Sequence, residues 1–275
     1  MSAAATLNPP DERDYARDLG RAFGGALLFS LPLLMTMEMW WFGFTLDRAR
    51  LAIFLLVGLP LLLGIALYAG FSRHQGLLHA IQDTFVAIAV GMITGAALLL
   101  LFGVIEPGGP LRQSVGQIAL QTVPAAMGAL LARKQLSGAG RGKGDEDEAS
   151  YFGELFLMVA GALFIALNMA PTEEMILIAY RITPWHALAL VAVSLTLMHV
   201  IVYLAGFAGQ EEQGHPVTAF FHFTLAGYGL VLLTSLYVLW IFGRTDGHNI
   251  KEMVDAVVVL SFPGAIGAAA ARLLV

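Results

Sequence analysis

The sequence contains no cysteine. Disulfides, thiolate metal sites and cysteine nucleophiles are therefore excluded, while the compartment stays open. Charge is also scarce. Asp, Glu, Lys and Arg make up 13% of the chain, against about a quarter in soluble domains. No basic patch is present, so nucleic acid is not expected as a partner. The net charge of −5 arises mainly in the first residues and the middle of the chain. Residues 1–19 are polar and carry neither a basic n-region nor an apolar h-region. A cleavable signal peptide is not expected. No cofactor is expected either.

What the chain has in abundance is apolar sequence, at 58% hydrophobic residues. A bilayer-crossing helix needs about 20 such residues. Eight stretches qualify: 20–45, 50–71, 79–105, 113–134, 151–170, 184–207, 216–242 and 249–273. The predicted fold class is an all-α polytopic membrane protein with eight transmembrane helices, and the lipid bilayer is its first partner. Little chain remains for a separate soluble domain. With eight spans the termini share one side. Lys and Arg are more frequent there (Arg13, Arg17, Arg21, Arg73 and Arg133 among them) than on the other side. That bias predicts that both termini lie in the cytoplasm.

The chain also reads as one block written twice. Glu38 placed over Glu174 brings Met39 onto Met175, Leu61 onto Leu197 and Ile65 onto Ile201 without a gap. After a short slip, Pro124, Gly128 and Arg133 match Pro263, Gly267 and Arg272. The expected organisation is a cytoplasmic polar tail (1–19), a first four-helix repeat (20–136), a flexible charged linker (137–150) and a second four-helix repeat (151–275). An even number of spans per copy makes the repeats parallel, related by an axis along the membrane normal. Small residues four apart predict close helix packing: Gly20 with Gly24, Gly91 with Gly95, Gly128 with Ala132, and Gly267 with Ala271. Pro171 predicts a break after the fifth span, at a place where the first copy has no proline.

Ionisable residues inside a membrane are costly and mark function by default. The candidates for an ion-binding relay are Glu38, Glu173, Glu174, Asp83, His199, His222 and Asp255. Their positions predict an outer tier (Glu38, Glu174, Asp255) and an inner tier (Asp83, His199, His222), with Asp83 and His222 facing one another across the pseudo-twofold axis. Partly desolvated carboxylates and histidines exchange protons near neutral pH. Plainer roles fit some of these residues too. Glu38 beside Trp40 and Trp41 suits a wet headgroup belt, and a lone His199 suits a hydrogen-bonded packing role. No metal is assigned.

The runs Leu31-Pro-Leu-Leu-Met-Thr-Met-Glu-Met-Trp-Trp41, Ala170-Pro-Thr-Glu-Glu-Met175 and Thr183-Pro-Trp-His-Ala-Leu-Ala-Leu190 resemble a bacterial family of integral membrane proteins of unknown function. The resemblance implies an eight-helix inner-membrane protein and no particular activity. Tandem glutamates, an arginine and histidines also invite comparison with the intramembrane glutamate proteases. The positions that should be Arg and Phe there are Ile178 and Leu195, so an enzyme is the less favoured reading. A haem site would rest on the single pair His199 and His222, which is too little. The leading expectation is a channel or transporter for a small cation, a proton included, with its path near the pseudo-twofold axis. The alternative is a binding or assembly protein without a transport path. A homo-oligomer is compatible with both.

Overall fold

Thr36 and Thr172 decide the shape of the molecule before any packing does. In the computed structural model, which describes residues 12–70, 77–137, 151–205 and 220–273, each threonine takes an extended backbone. Each hydroxyl donates to the carbonyl three residues back: Thr36 to Leu33 at 2.8 Å and Thr172 to Met169 at 2.9 Å. That bond competes with helix continuation. Helix α1 (Glu12–Leu34) therefore stops, and α2 (Met37–Thr45) starts at 88° to it. Likewise α6 (Tyr151–Met169) stops before α7 (Glu173–Arg181). The predicted first span, 20–45, is thus not one straight helix. Pro171 is not the general cause of the break, because the first half breaks without a proline.

The remaining helices are α3 (Arg48–Ile65), which runs into a π turn at Ala66–Gly70, then α4 (Leu77–Leu101) and α5 (Leu111–Ser137). In the second half they are α8 (Pro184–Ala205), a π turn at Phe220–Leu225 leading into α9 (Ala226–Ile241), and α10 (Ile250–Leu273). Among the described residues, 7 helices are long and apolar enough to cross a membrane, or up to 8 if the bent pair α1–α2 is one span. The protein is all-α and polytopic. The polar stretch 1–19 is helical from Glu12 onward. The predicted linker 137–150 lies, beyond Ser137, outside the described residues.

Local stop signals recur in the two halves. Gly103 and Gly243 have φ of 69° and 70°, the left-handed region open to glycine. In each case the residue that follows donates its N–H back into the helix, Val104 to Leu99 at 2.9 Å and Arg244 to Leu239 at 2.8 Å. This is the wrap that ends α4 and α9. Asp47 starts α3 by accepting from the N–H groups of Ala49 (2.9 Å) and Arg50 (3.2 Å).

Packing in each half centres on its last helix. α5 lies against α1, α4, α2 and α3, and α10 against α6, α8, α9 and α7. The tightest crossings are backbone to backbone. A Cβ at Gly25 would overlap the Gly128 carbonyl and Ala132, and one at Gly161 would overlap the Gly267 carbonyl and Ala271. Gly128–Ala132 and Gly267–Ala271 are thus packing faces as expected. Gly91 and Gly95 also pack, against Thr122, Ala126 and Gln121. Gly20 and Gly24 do not, since nothing lies within 4 Å of where their Cβ atoms would be; the α1 residue in contact is Gly25.

The halves meet through aromatic rings. Phe29 stacks at 4.4 Å from Phe164, Phe42 at 5.1 Å from Phe242 and Tyr68 at 5.5 Å from Phe156. Phe156 also fills the space that a side chain at Gly64 would need.

Candidate functional site

One end of the bundle, here called distal, holds the short helices α2 and α7 and the α9–α10 turn. In the first half the short helix packs tightly on α5, beside an open pocket of about 310 Å³ lined by Phe44, Leu46, Arg48, Leu51 and Arg112. Gly43 on α2 and Gly116 on α5 touch backbone to backbone. Gln117 then reaches the Trp40 carbonyl at 3.2 Å, and the Trp40 indole donates to the Leu34 carbonyl at 2.7 Å. Smaller neighbours would leave these amide and carbonyl groups buried without partners, which costs about 1–3 kcal/mol each.

In the second half the same end is charged. Arg244 donates to the Pro171 carbonyl and, at 3.0 Å, to Glu173. Its guanidinium also lies 5.2 Å over the Phe42 ring of the first half. Arg50, at the start of α3, reaches across to Asp246 at 2.8 Å and lies 5.2 Å over Trp240. His248 Nδ1 sits 3.1 Å from both Tyr180 Oη and Glu252 Oε2. Together with Ile176 and Ala179, the residues Tyr180, Arg244, His248 and Glu252 line a cleft of about 10 Å³, room for roughly one water. One turn further in, Lys251 holds Asp255 at 2.6 Å.

The two arginines therefore tie the halves together at the distal end. The Arg50 hydrogen bond holds the Asp246 carboxyl below the usual carboxylate range. A depressed carboxyl stabilises the fold above its unfolded pKa, and that contribution fades as pH falls through the folded value. Asp246 is 57% exposed, so screening limits the gain to about 0.2–1 kcal/mol. Asp246→Asn should lower the thermal midpoint slightly at neutral pH and not at all in acid. A difference that persists at acid pH would refute the pairing.

Of the residues singled out from sequence, Glu38 occupies the first turn of α2 and is half-buried. Glu173 is paired to Arg244, Glu174 beside it is exposed, and Asp255 is buried at 7% exposure. All four lie toward the distal end. Glu38 stands on the short helix α2 of the bent pair and Glu174 on the short helix α7. Toward the opposite end, Asp83 is half-buried on α4, and His199 Nδ1 lies 3.0 Å from the Thr224 hydroxyl. His222 is exposed, and its carbonyl accepts from Tyr151 at 2.8 Å. Among the described residues no three His, Asp or Glu side chains gather closely enough to hold a metal ion.

A family model described as "Putative integral membrane protein (DUF2391)" matches residues 18–275. The chain belongs to this family. Neither the curated proteins nor the solved structures contain a match.

This DUF2391 chain has further polar residues that its sequence did not flag. Glu154 on α6 is 5% exposed; it lies early in the predicted fifth span, 151–170, just after the charged linker. Tyr228 and Ser261, 3% and 0% exposed, share a 2.9 Å hydrogen bond between α9 and α10. Ser235 is 1% exposed and its hydroxyl has no partner. Hydroxyl residues within Leu and Val runs are ordinary in membrane helices; the one signal was that Met92 and Leu99 stand where the second half has Tyr228 and Ser235. An open groove of about 440 Å³ between α3, α4 and α5 is lined by Leu55, Leu59, Ile88, Met92, Thr122 and Val123.

Proposed function

We propose that this integral membrane protein moves a small cation across the bilayer. The observation that carries the proposal is the placing of two carboxylates. Among the described residues, the charged side chains that are buried are Glu154 and Asp255. They stand near opposite ends of α6 and α10, two helices packed along their length. Ionisable residues within membrane helices are costly and mark ion paths by default, and Asp255 is held ready by Lys251 at 2.6 Å. Glu38, Glu173 and Glu174 would gather cations at the distal end, and Asp83, His199 and His222 would serve the other end. We further propose two parallel copies of one unit, supported by the paired Thr36/Thr172 breaks, the paired glycine crossings and the paired Gly103/Gly243 turns. The Lys and Arg bias favours termini in the bacterial cytoplasm.

The test is flux through the purified full chain in proteoliposomes, across a panel of protons and alkali cations. The Glu154→Gln/Asp255→Asn double mutant should lose about a hundredfold of the wild-type flux. Glu38→Gln/Glu174→Gln should lose less, about tenfold, because those side chains act by local concentration. A wild type that passes no cation under any gradient or voltage would overturn the proposal. The reading as a binding protein would then gain, and the apolar groove of about 440 Å³ between α3, α4 and α5 is the feature that favours it.

A further inference from the structure

We infer that the transported cation is a proton and that its route lies inside the second half, along buried hydroxyls between α9 and α10, rather than on the axis between the halves. The inference rests on the transport reading above. The axis is unsuited, because the rings of Phe29, Phe164, Phe42 and Phe242 meet there at 4.4 and 5.1 Å. Aromatic faces carry no lone pair on which a proton could rest.

The second half offers a series of them. Thr224, Tyr228 and Ser235 follow at helical spacing toward the distal end, so they share one face. Thr224 is 0% exposed and lies 3.0 Å from His199 Nδ1. Tyr228 reaches Ser261 on α10 at 2.9 Å. Ser261 itself donates to the Val258 carbonyl at 2.8 Å, so the tyrosine is the donor of that pair. Ser235 borders Gly264 on the same helix. Asp255 is six residues before Ser261, about 9 Å along the axis. Gaps of that size are bridged by one or two waters.

The first half lacks the series. Its matching residues are Leu63 for His199, Ile88 for Thr224, Met92 for Tyr228, Leu99 for Ser235 and Gly116 for Asp255. Thr122 matches Ser261, and each donates to a carbonyl of its own helix at 2.8 Å, Thr122 to Ile118 and Ser261 to Val258; Ser261 also receives the Tyr228 hydroxyl. The first half keeps buried hydroxyls of its own, at Thr84, Thr94 and Thr122; what sets the second half apart is the His199–Thr224 and Tyr228–Ser261 pairs with buried Asp255 toward the distal end.

The cation follows from the same geometry. A metal cation needs several oxygens converging on it at once, whereas the thread hydroxyls come singly or in one pair. A proton needs one lone pair at a time. Each hydroxyl accepts a proton on its oxygen, releases its own on the other side and then rotates back. Asp255 is protonated from the distal end and gives the proton inward, so no group is consumed.

The experiment is voltage-driven proton uptake by full-length protein in proteoliposomes, read with a pH dye, with sodium and potassium flux measured in parallel. Tyr228→Phe and Ser235→Ala should each lower proton flux about tenfold. Phe29→Leu should leave it unchanged. Ser235→Ala removes a hydroxyl that has no partner, so its thermal midpoint should stay level or rise. Lost flux with kept stability is a combination that a purely structural role would not give. Proton flux unaffected in both hydroxyl variants overturns the route alone. Sodium or potassium flux without proton flux overturns the choice of cation. A wild type that moves no cation overturns this inference together with the transport reading.

Discussion

Gly267→Leu should abolish the folded protein, giving aggregated material and no cooperative melt in detergent. A Cβ at Gly267 would meet the Gly161 carbonyl oxygen and the Ile165 side chain. A backbone carbonyl inside a helix cannot swing away, so α6 and α10 would have to separate. Overpacking a core costs typically about 1–3 kcal/mol, and more when backbone must move. In a bilayer no hydrophobic gain drives helices together, and close packing is what holds them. Gly128→Leu should do the same to α1 and α5, where the Gly25 carbonyl and Phe29 stand in the way. Gly24→Leu is the control: nothing lies within 4 Å of its Cβ position, so its melt should match that of the wild type. A Gly267→Leu protein melting within a few degrees of wild type would show that the crossing is not this close.

Arg244→Ala should be the most damaging change at the distal end, costing about 2–5 kcal/mol. The side chain is 16% exposed and serves three neighbours at once: the Pro171 carbonyl, Glu173 and the Phe42 ring. It joins the α6–α7 break, the α9–α10 turn and the first half, and its loss frees all three. Arg244→Lys should recover little, because an ammonium cannot fork to two oxygens while stacking on a ring. Glu173→Gln should cost under about 1 kcal/mol, since that carboxylate is 70% exposed. The carbonyl and the ring should therefore account for most of the loss, as read from thermal midpoints of the three variants. If Glu173→Gln were as costly as Arg244→Ala, the ion pair and not the carbonyl would be the tie.

Much of the fold was legible in the chain because its causes are local. Long apolar runs set the helices, and the sites at Gly103 and Gly243 that end α4 and α9 lie where the runs end. The break at Thr36 was also written locally, as a threonine matching Thr172. Pro171 drew attention as the stronger breaker and hid what the two positions share. The packing stripes were partly legible: Gly128 and Gly267 were seen, but the partner on α1 is Gly25 and not the more regular Gly20–Gly24 pair. Spacing identifies a smooth face without saying whether another helix lies on it.

The candidate site was less legible. Asp255 and Glu252 are three residues apart on one helix and look alike in sequence, yet their side chains are 10% and 37% exposed. Glu154 lies in the predicted fifth span, was not among the predicted site residues, and is buried. Sequence by itself determined that this chain is helical and membrane-embedded, because hydropathy and backbone hydrogen bonding act within a few residues. Only the tertiary structure decided which polar groups lose their water and which helices cross at a glycine. Burial is conferred by neighbours that arrive from distant parts of the chain.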